Sequence, residues 1–177
     1  RWKRYQEKAA DVDQLEMWFE GRFKDYNIGV VTGSISGNVY AVDVDVSEGK
    51  VGQETLDDLC MANDDIPETF EQRTGSGGKH IFLRAPEGTA IITGKNVLGD
   101  GIDTRGEGGF VVVAPSNHKS GGKYLIEDWA INNEIADSPE WVTQLSKIDA
   151  ARYDDTHIQD KKTDMFGDLT DGREGYM

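Results

Sequence analysis

"VYAVDVDV", residues 39–46, is the stretch on which the reading of the fold turns. Strand side chains alternate between faces, so Val42, Val44 and Val46 share one side while Asp43 and Asp45 share the other. The valine side is suited to a core. The aspartate side gains nothing from burial, and two like charges this close repel unless something positive sits between them. Alternate strand positions put their Cα atoms roughly 6.5–7 Å apart, a spacing at which carboxylates can lean around one cation or bridge a pair. Oxygen donors favour hard ions such as Mg²⁺ or Mn²⁺. The bland alternative is a solvated strand face.

Upstream, "ADVDQLEMWFEGRF" (10–23) predicts an amphipathic helix, with Leu15, Trp18, Phe19 and Phe23 at helical spacing and Asp11 with Gln14 as a capping box. "NIGVV" (27–31) reads as a strand and "TGSISGN" (32–38) as the turn into the aspartate strand. Residues 50–62 carry a helical pattern with Leu56, Leu59 and Cys60 facing inward. Downstream, "FEQRTGSGGKHIFLRAP" (70–86) and "GIDTRGEGGFVVVAPS" (101–116) each read as strand, glycine turn, strand. "SGGKYLIEDW" (120–129) adds a turn and strand. "SPEWVTQLSKI" (138–148) is a helix with Ser138 as N-cap, Pro139 at its first position, and Trp141, Leu145 and Ile148 along one face. The elements predict an α+β domain over residues 1–148, a mixed, largely antiparallel sheet with flanking helices. Residues 149–170 read as an acidic linker, and Asp171 with Glu174 has capping-box spacing, the expected start of a helical region running on past residue 177.

Composition narrows the partners. The single cysteine, Cys60, excludes an internal disulfide and a cysteine-built zinc knuckle, so no zinc is expected and a reducing, cytoplasmic setting is the simplest reading. No apolar run approaches the ~20 residues of a membrane helix, and no signal peptide is visible. The net charge of −14 argues against a uniformly basic nucleic-acid surface. The charge is unevenly spread, however: residues 70–123 hold seven Lys/Arg against five Asp/Glu, and Arg1, Lys3, Arg4 and Lys8 form a second basic island. A locally basic, glycine-rich middle in an acidic body is compatible with phosphate binding at one site.

Two further groups could do chemistry. In "RTGSGGKHIFLR" (73–84), Gly75, Ser76, Gly77 and Gly78 join two strand-like segments, and glycine lets phosphate approach backbone N–H groups. Lys79 follows, and His80 and Arg84 share a strand face where either could contact an anion. An ordinary glycine hairpin would look the same, and the stretch is not a Walker A loop, since no Gly-Lys-[Ser/Thr] leads into a helix. In "GIDTRGEGG" (101–109), Asp103 lies among strand formers with Arg105 on its face two positions on; a local ion pair is the plain alternative.

Together these groups resemble the primase-polymerase (prim-pol) branch of the archaeo-eukaryotic primase superfamily, in its bifunctional phage, plasmid and prophage form. The likeness runs through "NIGVVTGSISGNVYAVDVDV" (27–46), "TGSGGKHIFLRAP" (74–86) and "GIDTRGEGGFVVVAPSNHKSGGKY" (101–124). The family's D-x-D/E pair falls on Asp43 and Asp45, its small-x-His motif on Gly78-Lys79-His80, and its lone acidic residue on Ile102-Asp103. The resemblance implies an RRM-like catalytic core and a template-directed nucleotidyltransferase, a DNA primase/polymerase of phage, plasmid or other mobile-element replication in a bacterial or archaeal host cytoplasm. It implies two Mg²⁺ or Mn²⁺ ions on Asp43, Asp45 and Asp103, and incoming nucleotide held by His80 and the amides of 76–79, with Lys79, Arg84 and Arg105 as further phosphate contacts. Implied partners are single-stranded template, primer, dNTP or NTP, and a helical or helicase domain of the same polypeptide; no membrane is implied. Gly78 stands where a serine is frequent in the family, and the family's opening strand is expected upstream of Arg1. A metal-dependent nuclease and a catalytically silent metal- or nucleotide-binding replication module are the rival readings.

Overall fold

The computed structural model describes residues 2–47 and 49–148. The linker and downstream helical start expected over 149–177 lie outside the described residues.

The valine alternation builds the centre of the molecule. β2 (Val39–Val44) lies between β4 (Lys79–Arg84) and β6 (Ile102–Arg105), antiparallel to both. β5 (Gly94–Gly99) pairs outside β6, while β3 (Glu71–Arg73) and then β8 (Leu125–Ile126) extend the other edge. The short β9 (Ala136–Asp137) runs parallel to the far end of β4 and completes a seven-stranded sheet in an α+β fold. The expected 70–86 hairpin is present as β3–β4.

Each sheet face has its own cover. On one, Tyr40, Val42, Val44, Ile81, Leu83 and Ile102 pack beneath α2 (Gly52–Ala62) and α3 (Glu140–Ser146) through Leu56 and Val142, with Leu59, Cys60 and Trp141 at the margin. Each such aliphatic side chain contributes roughly 1.5–3 kcal/mol by leaving water. On the other face, Val39, Ala41 and Phe82 pack against Val111 of β7 (Phe110–Val113), which pairs with β1 (Ile28–Val31) in a separate two-stranded sheet. That small sheet leaves Asp43 and its neighbours beside its edge.

Four local expectations are corrected. No ladder joins β6 to β7 among the described residues, so 101–116 is not a hairpin: Gly106 packs on Ile91, whose carbonyl accepts the Glu107 N–H, and the chain crosses to the second layer. β2 ends at Val44 because, although the Asp45 N–H still bonds Gly101 O, the Asp45 carbonyl accepts from Gly52 N–H and the Gly101 N–H goes to Asn96 Oδ1; Val46 is exposed rather than in the core. The cap of α3 is Pro139, since the Ser138 hydroxyl is engaged by Tyr40 and Thr143; Val142, Thr143 and Ser146 form its buried face while Leu145 is exposed. Finally, Asp11 caps α1 (Val12–Phe19) through Gln14 N–H as expected, but the helix buries none of its residues, and Leu15 and Phe19 are exposed.

Candidate functional site

Register alone places the site. Asp43 of β2 is directly opposite His80 of β4 on one side and Asp103 of β6 on the other. Directly opposed residues share a sheet face, so three groups from distant parts of the chain stand in one row. Arg105, two residues after Asp103, shares that face. Its Nη2 donates to Asp43 Oδ2 at 3.2 Å and to Asp103 Oδ2 at 3.0 Å, so one guanidinium nitrogen bridges both carboxylates. His80 Nε2 lies 3.4 Å from Asp43 Oδ1, and Asp103 Oδ1 accepts the Asn96 N–H at 2.9 Å. The Asp43, Asp103 and Arg105 side chains keep 21%, 19% and 26% of their exposure, enough for a ligand to reach them, whereas His80 keeps 7%.

The repulsion expected between paired aspartates is thus answered here by Arg105, and across strands rather than along one. Asp45 follows β2 and turns its Oδ1 to the N–H and hydroxyl of Ser47. Among the described residues no three His, Cys, Asp or Glu side chains converge closely enough to hold a metal. Asp43 and Asp103 do present oxygens that converge on a single cationic nitrogen. That all-oxygen, convergent donor pair fits a hard divalent cation, with the guanidinium as its stand-in.

Burial alone would push the Asp43 carboxyl up. The His80 hydrogen bond, the charge its ring carries when protonated, and Arg105 outweigh burial and hold Asp43 at about 2, against an ordinary 3.8. A carboxyl depressed on folding adds stability that is complete above its unfolded value and is lost as pH falls through its folded value. Asp43 therefore adds up to about 2 kcal/mol at neutral pH. In metal-free buffer, Asp43→Asn should flatten the acid limb of the urea-midpoint curve between pH 3.8 and about 2. Superimposable limbs for the two proteins would contradict this account of the site's charge.

The glycine loop is built for close approach. Thr74 N–H bonds Gly78 O, Gly77 N–H bonds Thr74 O, and Gly77 sits at φ +98°. The Ser76 hydroxyl is bonded to Thr74 Oγ1. A Cβ on Gly78 would lie 2.2 Å from the Val44 carbonyl oxygen, which explains glycine where serine is frequent in the family it resembles; one on Gly75 would strike His118. The loop therefore rests directly against β2, one residue from Asp43.

Two expected anion contacts are not brought to this row. Lys79 points to the opposite face, where its charge pulls down a Glu71 carboxyl that burial pushes up. Arg84 is on the His80 face but four residues along, roughly 13 Å away, where it donates to Gly37 O and borders a polar cleft with Glu68, Asn133 and Asp137. His118 is bonded to Ser120 and packs edge-on to Tyr124, which also packs against His80. Sequence reading missed Gln72, which contacts His80 Nδ1 from β3 at 2.8 Å. Only its even spacing from Thr74 and Phe70 hinted at a shared strand face.

A family model described as bifunctional DNA primase/polymerase, N-terminal, matches residues 1–141. No curated protein matches the chain.

Proposed function

The chain belongs to the bifunctional DNA primase/polymerase family, and from that premise we propose that it carries out template-directed nucleotidyl transfer in the replication of a phage, plasmid or other mobile element. Membership brings a primase/polymerase-type domain with DNA and nucleotides as substrates. No described helix is long and apolar enough to cross a membrane. The observation that carries the finer reading is the row His80–Asp43–Asp103, with Arg105 joining the two carboxylates.

Asp43 and Asp103, with Asp45 at the end of the strand, would hold two Mg²⁺ or Mn²⁺ ions, which when bound activate a primer 3′-hydroxyl and stabilise charge on the α-phosphate. The protein's own part is to keep two carboxylates together in one orientation. Neighbouring strands fix their backbones, and Arg105 offsets part of their charge until it gives them up. His80 directs an N–H donor to the same face, in reach of an anionic ligand, and the 75–78 loop supplies backbone beside it. Lys79 and Arg84 need a template or triphosphate extending beyond the row to take part. Residues 1–148 would form the catalytic unit, acting on single-stranded template, primer and dNTP or NTP together with a helical or helicase region of the same polypeptide.

Labelled primer–template incubated with Mn²⁺, with and without dNTPs, tests the reading. Lengthening only with dNTPs is expected. Shortening would favour a nuclease, and metal-dependent nucleotide binding without extension would favour a silent module. Within the proposal, His80→Ala should raise the KM for nucleotide by about 10–100-fold and leave primer–template affinity intact. Equal loss of both would make His80 structural.

A further inference from the structure

Gln72 has no solvent exposure, and its amide is clamped by two main-chain groups of known polarity. The Ala114 N–H, which can only donate, meets Gln72 Oε1 at 3.0 Å. The Val112 carbonyl, which can only accept, meets Gln72 Nε2 at 2.7 Å. These two contacts fix which end of the amide is nitrogen without reference to the histidine. The same Nε2 then reaches His80 Nδ1 at 2.8 Å with its second hydrogen. An amide nitrogen has nothing to accept with, so Nδ1 must present its lone pair and the ring proton sits on Nε2. That is the nitrogen facing Asp43 Oδ1.

The row across the sheet explains how this is built. Gln72 is opposite His80, His80 opposite Asp43, and Asp43 opposite Asp103, so four adjacent strands set a relay in register. The outer end of the relay is anchored on β7, the strand that covers this face.

We infer that Gln72 is a positioning residue that locks His80 as the Nε2–H tautomer, so that the ring offers a donor and no lone pair to the face carrying Asp43 and Asp103. The opposite tautomer would set a bare Nε2 against a carboxylate and, in a complex, against phosphate oxygens, acceptor facing acceptor. It would also leave two donors opposed inside the fold, at Gln72 Nε2 and His80 Nδ1, a buried mismatch that hydrogen-bonded cores avoid. For nucleotide use, the inference rests on the proposed function; for the ring itself, it does not.

Long-range ¹H–¹⁵N correlation spectra of the ¹⁵N-labelled chain, at a fixed pH above the ordinary histidine range and without metal or nucleotide, read the tautomer directly. The His80 signals are those absent from His80→Ala. The wild type should show a protonated Nε2 and a bare Nδ1. Gln72→Glu keeps the shape and, as a carboxylate, can only accept, so it should place a proton on Nδ1. Gln72→Met keeps the bulk without polarity and leaves only the Asp43 carboxylate to favour Nε2–H, so it should raise the share of the Nδ1–H tautomer, which carries the test if the buried glutamate does not fold. In primer extension, Gln72→Met should raise the nucleotide KM by about 10-fold or more, with primer–template affinity unchanged. A wild-type ring protonated on Nδ1, or a pattern unmoved in both variants, overturns the lock even if the chain extends primers. A changed pattern with an unchanged KM overturns its link to nucleotide binding. If no extension is found at all, the spectra still decide the tautomer, so failure of the lock and failure of the polymerase reading are distinguishable.

Discussion

Replacing Asp43 with alanine should lower metal-dependent nucleotide incorporation by about 10³-fold or more, while the chain remains folded. Asp43 meets both His80, through Oδ1, and Arg105, through Oδ2. Its removal leaves Asp103 alone with Arg105, and a single carboxylate neutralised by a guanidinium has little left for a cation. Loss of one preorganised electrostatic group in a reacting site typically costs 10²–10³ in rate, and loss of a shared ligand belongs at or above the upper end. Stability sets the other half of the expectation. The depressed Asp43 carboxyl contributes at most about 2 kcal/mol, against the 5–15 kcal/mol of a typical domain, so unfolding does not explain the loss. Single-turnover extension of labelled primer, alongside thermal melting of the same preparation, checks both. Retained extension by a clean Asp43→Ala chain would remove the proposed mechanism.

Gly78→Ser, a change toward the residue frequent in the family, should lower the melting temperature by about 2–12 °C. The new Cβ would lie 2.2 Å from Val44 O, with Thr74 Oγ1 at 3.3 Å. The first neighbour is main chain, held in the β2–β4 ladder at the pair Val44↔Lys79, and cannot swing aside as a side chain could. Overpacking of this kind costs typically 1–3 kcal/mol, and each kcal/mol moves the midpoint by about 2–4 °C in a chain of this size. Gly121→Ala is the comparison: its φ of +87° strains any side chain, yet nothing stands within 4 Å of the added carbon. It should cost only about 1 kcal/mol. An unshifted melting curve for Gly78→Ser, or a larger loss for Gly121→Ala, would show that the loop does not rest on β2 as described.

The parts of this fold that were legible in the sequence are those set by local period. Alternation over residues 39–44 announced β2, the glycine turn announced β3–β4, and the spacing of Leu56, Leu59 and Cys60 announced α2. What was illegible depends on partners far along the chain. β5 has glycines at both ends and little apolar content, so only its pairing with β6 identifies it. The turn at 106–109 has hairpin composition, yet its clamping by Ile91 and Thr32 sends β7 to another sheet. Helical spacing announces α1 but not its end at Phe19, four residues short of Phe23, and periodicity says nothing about whether the apolar side finds a cover.

For the site, motif types pointed to Asp43, His80 and Asp103, and register brings these three together. Asp45 and Arg84 illustrate the limit of face arguments: alternation assigns a side but not a strand end, and it does not count distance along the strand. From the sequence Arg105 reads as a phosphate contact or a local partner of Asp103; its bond to Asp43 is not visible there, because that carboxylate comes from a strand 62 positions away. Gln72 was invisible for the same reason. Its partners Val112 and Ala114 meet it only after β7 has crossed the sheet.

The claim on which all of this depends is that Asp43 and Asp103 together take a divalent cation. Calorimetric titration of Mn²⁺ into the chain, with and without dNTP, tests it in wild type and in Asp103→Asn. The account predicts Mn²⁺ binding that tightens with dNTP in the wild type, and loss of both signals in a variant whose melting shows it folded. Equal Mn²⁺ binding by the two proteins would contradict it.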